Sequence, residues 1–544
     1  MSSDAFVAGQ ERRDGICSYL EYFAPTFDWD ELVRWPPDVF ALCNLVLDHT
    51  KSYRYVVAPP TDRHWPPLPA WNEQVEAAAK AWRDACDEGG ELPPLIRESW
   101  QTVSDLRDLW LTEIRTGEAW ELISALLTLH AAADEACAGI ARGATAPSGS
   151  FEQRAWSLLE EQGSLCRLSP RRMRIVPKTN FSPRGVTIRS LSRYLGLCYE
   201  TIPVSWRSGG RFDPPGDYNV VLLPWPLEVK ACDFRAAPSP PRLQNMDTRR
   251  FGFFEFAPQR ALDTELVGAL LAEAVAETGS VDALLLPELA VLPTDIPALE
   301  RTLDEHGVFF LVAGVREHPA GAAHARNYLH FGVRRGSGWE RAEQDKHHRW
   351  CMDEGQIRQY HLARTLDPSK LWWEAIGLGE RRLNVVDVGS GLTAAPLVCE
   401  DLASLDEVAE LVRTIGPGLV VALLLDGPPL SMRWPCRYAG VLADDPGAAV
   451  LTLTSYGMVE RCRPPGKPRS RVVAHWNSRA GGAQELRLAP RAAGLLVSLR
   501  VARTTNWTAD GRQHNGVPSL QLSGVRQLGQ EPATGATTAE REAA

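Results

Sequence analysis

Apolar and polar residues follow three different rhythms along the chain. In residues 1–150 helix formers dominate, and stretches 71–82 and 120–138 carry apolar residues at three- and four-residue intervals, which predicts amphipathic helices. Tryptophans recur there at 29, 35, 65, 71, 82, 100, 110 and 120. At helical spacing they read as packing or a partner surface rather than a ligand cradle. Residues 141–150, rich in Gly, Ala and Ser, read as a linker. Residues 151–242 form a small mixed unit: 218–226 is a buried-strand run stopped by prolines, and 236–241 (Ala-Ala-Pro-Ser-Pro-Pro) is a hinge. From 243 to 525 the pattern alternates. Short apolar runs at 249–256, 281–290, 309–314, 327–332, 385–389, 394–398 and 419–426 predict buried strands, and 262–278 and 405–415 predict helices between them. The expected class is α/β, behind a mainly helical N-terminal region. Residues 526–544 are polar and small, and are expected to be a disordered tail.

Composition narrows the picture. The 544 residues allow two to four domains, and 44% hydrophobic with 23% charged residues is ordinary for a globular protein. A formal net charge of −10 argues against wholesale nucleic-acid binding. The eleven cysteines form no Cys-x-x-Cys pair, which favours a reducing compartment over a disulfide framework or zinc ribbon. With no signal-like N-terminus and no apolar run of about 18 residues, a cytoplasmic protein is expected. Abundant Arg, Ala and Pro suggest a bacterial source.

One stretch departs from the acidic average. Between Arg167 and Arg193 lie eight basic residues, Arg171, Arg172, Arg174, Lys178, Arg184 and Arg189 among them, with no acid between Glu161 and Glu200. The segment either binds an anionic ligand (a nucleotide, a nucleic acid or an acidic protein partner) or pairs with acids elsewhere in the chain.

Candidate chemistry gathers at the ends of apolar runs. Residues 394–398 lead straight into Cys399, Glu400 and Asp401, placing a thiol where the backbone leaves a sheet. The run at 281–287 ends in Glu288. Lys346 follows a polar turn, in a chain with seven lysines against fifty-one arginines, so a compact ammonium is wanted there rather than a guanidinium fork. His347 and His348 are adjacent and face opposite ways in extended chain, so no metal site is expected; nor is a cofactor called for.

Glu288, Lys346 and Cys399, spaced 58 and 53 residues apart within the strand pattern above, resemble the carbon–nitrogen hydrolase (nitrilase) superfamily over residues 245–505. The stretch 249–256 looks like that family's first strand. The resemblance implies a four-layer α-β-β-α sandwich with Glu288 as general base, Lys346 and the Glu400 backbone N–H as oxyanion donors, and Cys399 as nucleophile. It implies a second glutamate beyond the lysine that positions substrate, for which Glu354 is the candidate and Asp353 its competitor. It also implies a homodimer or larger homo-oligomer, with helix 405–415 as the contact through Leu405, Val408, Ala409 and Val412. The chain departs from the family after the lysine, where it reads His347-His-Arg-Trp350. The implied activity is hydrolysis of a small amide or nitrile through a cysteine thioester. A competing reading is a non-catalytic effector or assembly module of a multi-component bacterial system, such as anti-phage defence, whose N-terminal half senses a partner.

Overall fold

The computed structural model describes residues 15–140, 147–168, 172–180, 185–199, 202–207, 216–237, 246–319, 322, 324–404, 408–464, 466 and 468–529. Its centre is a pair of seven-stranded sheets. Sheet I runs, in spatial order, Gly338–Asp345, Arg326–Arg335, Phe310–Glu317, Ala283–Val291, Tyr218–Leu222, Gly494–Trp507 and Gln513–Leu528. Sheet II runs Gly482–Arg487, Val472–Ser478, Ala449–Thr454, Leu419–Leu424, Leu392–Val398, Leu383–Gly389 and Val204–Arg207. The central strands of each are parallel, and their near-continuous apolar sequences are what burial on both faces requires. Between the sheets, Leu285, Phe310, Val312 and Phe331 of sheet I meet Pro396, Val421 and Leu451 of sheet II around an apolar cavity of about 50 Å³.

Helices cover the outer faces. Thr264–Thr278 starts where the Asp263 side chain accepts the Leu266 N–H and stops at Gly279 in a left-handed conformation. Its Val267, Leu270, Leu271 and Ala274 share a core with Leu299 and Leu303 of helix Ile296–Glu305 and with the outer face of sheet I. Helix Trp434–Asp444 lies on sheet II, against Ala449–Thr454 and Val472–Ser478. The order is therefore α-β-β-α, the architecture expected for the C-terminal part.

Two strands of the sandwich come from ahead of residue 243. Val204–Arg207 forms an edge of sheet II and Tyr218–Leu222 lies in the middle of sheet I, so the sandwich is not confined to residues 243–525. The place beside Ala283–Val291 belongs to Tyr218–Leu222, whereas Phe251–Phe256, expected as the first strand, lies elsewhere. It pairs with Leu371–Glu374 and Phe234–Ala236, and with Cys351–Met352 they make a separate four-stranded sheet. Phe234, Phe254, Phe256, Trp350, Tyr360 and Trp372 pack as one aromatic cluster beneath it. At the C-terminus strand Gln513–Leu528 runs past 525, and from 530 the expected tail lies outside the described residues.

The N-terminal region is helical, as its periodicity predicts. Pro36–Thr50 and Trp120–Ala136 pack together at its centre, buried on nearly every face, with Trp71–Glu88 and Pro94–Asp105 around them. The tryptophans serve that core. Trp29 stacks on Trp100 at 5.1 Å, and the buried indoles of Trp35, Trp71 and Trp82 donate to Leu165 O, Thr128 Oγ1 and Val33 O. Trp110 is the exception, exposed at the surface.

Two seams join this region to the sandwich. The turn after strand Gly494–Trp507 inserts Arg512, fully buried, among Asp134, Glu135 and Asp510. A hairpin of Arg174–Pro177 and Leu195–Cys198 packs on helix Val408–Ile415. There a Cβ on Gly196 would stand 2.5 Å from Thr414 Cγ2, so only glycine allows this approach. Val408, Ala409 and Val412, expected to face a second copy, are buried inside the chain itself, and Leu405 lies outside the described residues.

Candidate active site

The sandwich places three side chains together because sheets I and II are clamped near their strand ends. Gln344, two residues before Lys346, donates to Pro396 O at 2.9 Å, three residues before Cys399; its Oε1 accepts from Asn384 N. That cross-sheet pair brings the end of Gly338–Asp345 against the end of Leu392–Val398. On the next side, strand Ala283–Val291 kinks at Glu288, where pairing with Phe310–Glu317 shifts register and Leu289 adopts a φ of 56°. Gly314 makes room for the kink: a Cβ there would lie 2.3 Å from Glu288 Cα.

Lys346 Nζ donates to Glu288 Oε1 and to Glu374 Oε2, each at 2.7 Å. Asn327 Nδ2 bridges the same two carboxylates, also at 2.7 Å to each. All four side chains are buried. Burial opposes the ammonium, but Glu288 and Glu374 outweigh it and hold the Lys346 pKa well above its usual value. Burial pushes the Glu288 carboxyl up, Lys346 and the Asn327 hydrogen bond pull against it, and Glu374 adds to the rise. Glu288 Oε2 remains buried and accepts no hydrogen bond.

Cys399 begins the turn Cys399–Leu402 with a φ of 45°, the left-handed conformation that a non-glycine residue seldom adopts. Its thiol is pushed well above the usual range by burial and by the charges of Glu288 and Glu400, against the pull of Lys346 and of the Leu425 N–H. Asp401 fixes the turn by accepting the His347 N–H and bonding His348 Nδ1 at 2.8 Å, which ties the Cys399–Leu402 turn to the residues after Lys346. Glu400 is half-buried, and burial raises its carboxyl to about 7, with Lys346 opposing and Glu288 adding.

Glu354 is not at this site. It stands in the first turn of the short helix Glu354–Gln359, exposed, paired with Arg358 one turn on at 2.7 Å; Asp353 caps the same helix through Gln356 N. The carboxylate beside Lys346 is Glu374, at the end of strand Leu371–Glu374, which sequence reasoning missed. Its signal was faint: a four-residue strand in which only Leu371-Trp372-Trp373 precedes the acid.

The basic segment is held by the chain's own groups wherever it is described. Arg167 pairs with buried Asp38, Arg189 reaches Glu410 and Asp445, and Arg174 donates to Gln162 O. Lys178 is buried and donates to Ser192 O and Oγ; burial lowers its pKa to about 7. Arg172 lies over the Tyr22 ring at 4.8 Å, and Arg171 and Arg184 are outside the described residues. The acids involved lie in helix Pro36–Thr50 and on the sandwich.

Among the described residues, no helix is long and apolar enough to cross a membrane. No protein-family model matches the chain, and no curated protein sequence does. Solved structures do match. Nit3 of Saccharomyces cerevisiae, a member of branch 10 of the nitrilase superfamily, is 12% identical with a TM-score of 0.28, covering 58% of this chain and 90% of its own. XC1258 of Xanthomonas campestris, a CN-hydrolase superfamily protein seen with an arsenic adduct in its active site, is 13% identical with a TM-score of 0.27, covering 57% and 90%. The NitFhit protein of C. elegans is 13% identical with a TM-score of 0.29, covering 48% and 56%. Two of these solved structures to which the chain is similar, Nit3 and XC1258, are thus members of the nitrilase (CN-hydrolase) superfamily, matched over a little more than half of its length.

Proposed function

We propose that this protein hydrolyses an amide or nitrile carbon–nitrogen bond of a small molecule through a covalent intermediate on Cys399. The observation that carries this reading is the buried Glu288–Lys346–Glu374 array set against a thiol held in a left-handed turn. Such a conformation costs free energy and persists where it aims a group at its task. In the amide reaction Glu288 takes the thiol proton as Sγ bonds to the carbonyl carbon, and Lys346 Nζ stabilises the developing oxyanion together with the Glu400 backbone N–H. Collapse breaks the C–N bond, the departing amine takes the proton from Glu288, and a thioester remains. Water then loses a proton to Glu288, attacks the same carbon and expels the thiol, giving the acid. Glu374 and Asn327 keep Lys346 and Glu288 in register and do not touch the reacting atoms.

A metabolite comparison between cells carrying the wild type and Cys399→Ala identifies the substrate. Intact-mass measurement on acid-quenched wild type during turnover then checks the mechanism: an acyl adduct on Cys399 should be trapped, and Glu288→Gln, which lacks the base for both half-reactions, should form it far more slowly. A Cys399→Ala protein with unchanged metabolite profile and no adduct in either form would defeat the reading.

A further inference from the structure

The polar side chains of this site are sealed with one exception. Glu288, Asn327, Lys346, Glu374, Cys399, Asp401 and Asp426 are each no more than 4% exposed, whereas Glu400, next to Cys399 in the chain and near enough for its charge to act on the thiol, is half-buried. Among the described residues that carboxylate has no hydrogen-bond or ion-pair partner, and Glu288 Oε2 beside it is likewise unpartnered and fully buried. Of the charges acting most strongly on Glu400, those of Glu288, Asp426 and Glu374 are negative and that of Lys346 alone is positive. Lys346 is spent on two glutamates, and Arg433 nearby is held by Asp426 and Pro428 O. An incoming carboxylate or phosphate would therefore meet mostly negative charge. An ammonium or guanidinium would find an open carboxylate, which a charge-assisted hydrogen bond satisfies.

Resting on the reading of Cys399 as nucleophile, we infer that Glu400 is a specificity-determining residue that selects small amides or nitriles bearing a positive charge. The Glu400 charge acts directly on the Cys399 thiol, so a cation held by Glu400 lies close to the scissile carbon. Substrates of the size of β-alaninamide and 4-aminobutanamide fit that condition.

The test compares 4-aminobutanamide with its neutral isostere pentanamide and with anionic succinamate, on the full chain. The wild type should favour the cationic amide in kcat/KM by at least ~10-fold over the neutral one, the range of a charge-assisted hydrogen bond, and should not turn over succinamate. In Glu400→Gln that ratio should collapse, through KM for the cationic amide. Thermal shift on Cys399→Ala, which binds without turnover, separates this inference from the reaction: the cationic amide should raise Tm there, and not in the Cys399→Ala, Glu400→Gln double variant. A shift without turnover in the wild type would sink the hydrolase reading and leave the selectivity standing. A wild type that prefers the neutral or anionic amide, a ratio unmoved by Glu400→Gln, or the absence of any shift would overturn the inference.

Discussion

For single residues, burial separates two glutamates that look alike in sequence. Glu354 keeps its carboxylate in water and pairs with an arginine on its own helix, an arrangement worth a few tenths of a kcal/mol. Glu374 is buried against Lys346, where removing a charge leaves its partner uncompensated. Glu374→Gln is therefore expected to lower kcat/KM by at least ~100-fold, on the scale of a lost oxyanion donor, while Glu354→Gln stays within about twofold. Steady-state kinetics on the amide identified for the wild type decides between them. Glu288, Lys346 and Cys399 were legible in the sequence because each closes or follows a recognisable strand. Glu374 was not, because its strand is short and its neighbours Trp372 and Trp373 belong to a sheet whose pairing with Phe251–Phe256 is non-local.

Among elements, the seam between the sheets carries a titratable group outside the chemistry. Asp282, just ahead of strand Ala283–Val291, lines the small apolar cavity; burial raises its carboxyl to about 6, while the Asn219 N–H opposes the rise. The folded chain therefore holds this proton more tightly than the unfolded chain. Stability from this group is complete below about pH 4 and is lost as pH rises through about 6, by ~3 kcal/mol at most. Asp282→Asn keeps an acceptor for Asn219 and does not ionise, so its Tm should exceed that of the wild type at pH 7.5 and approach it at pH 4.5. Equal Tm differences at the two pH values would refute this. The existence of most strands could be read from apolar runs, but their order could not. Tyr218–Leu222 reads as a buried strand from its own residues; that it lies between Ala283–Val291 and Gly494–Trp507 depends on partners far along the chain.

Across the whole molecule, the helical region and the sandwich share one continuous core, with Leu195 and Cys198 in the same cluster as Val412 and Ile415. Helix Val408–Ile415 was read correctly as amphipathic, but its apolar stripe has an intramolecular occupant, since periodicity shows that a face is covered and not by what. We propose that any self-association uses another surface; charge reversal on that helix should unfold the joint rather than split a dimer, as sedimentation and thermal melts together will tell. Arg512 is the electrostatic half of the joint. Replacing it with Met leaves Asp134, Glu135 and Asp510 buried without their cation, an expected loss of ~3–5 kcal/mol. A Tm within two or three degrees of the wild type (about 1 kcal/mol or less) would show the joint to be held by apolar packing alone.

The burial of Cys399 also sets a clock on thiol chemistry. Of the eleven cysteines, none in a disulfide, Cys232 alone is exposed, and Cys399 lies among those sealed from solvent. Alkylation by a reagent such as iodoacetamide should modify Cys232 quickly. Labelling of Cys399 waits for the fold around it to open, so its rate is governed by the frequency of opening and only secondarily by the nucleophilicity of the sulfur. A bulkier reagent should slow disproportionately at Cys399, and a small cationic one should be the fastest. Trimming a buried side chain of the turn itself, Leu402→Ala for instance, should accelerate labelling there and leave Cys232 unchanged, which makes the thiol a built-in reporter of how often this enclosure admits a molecule.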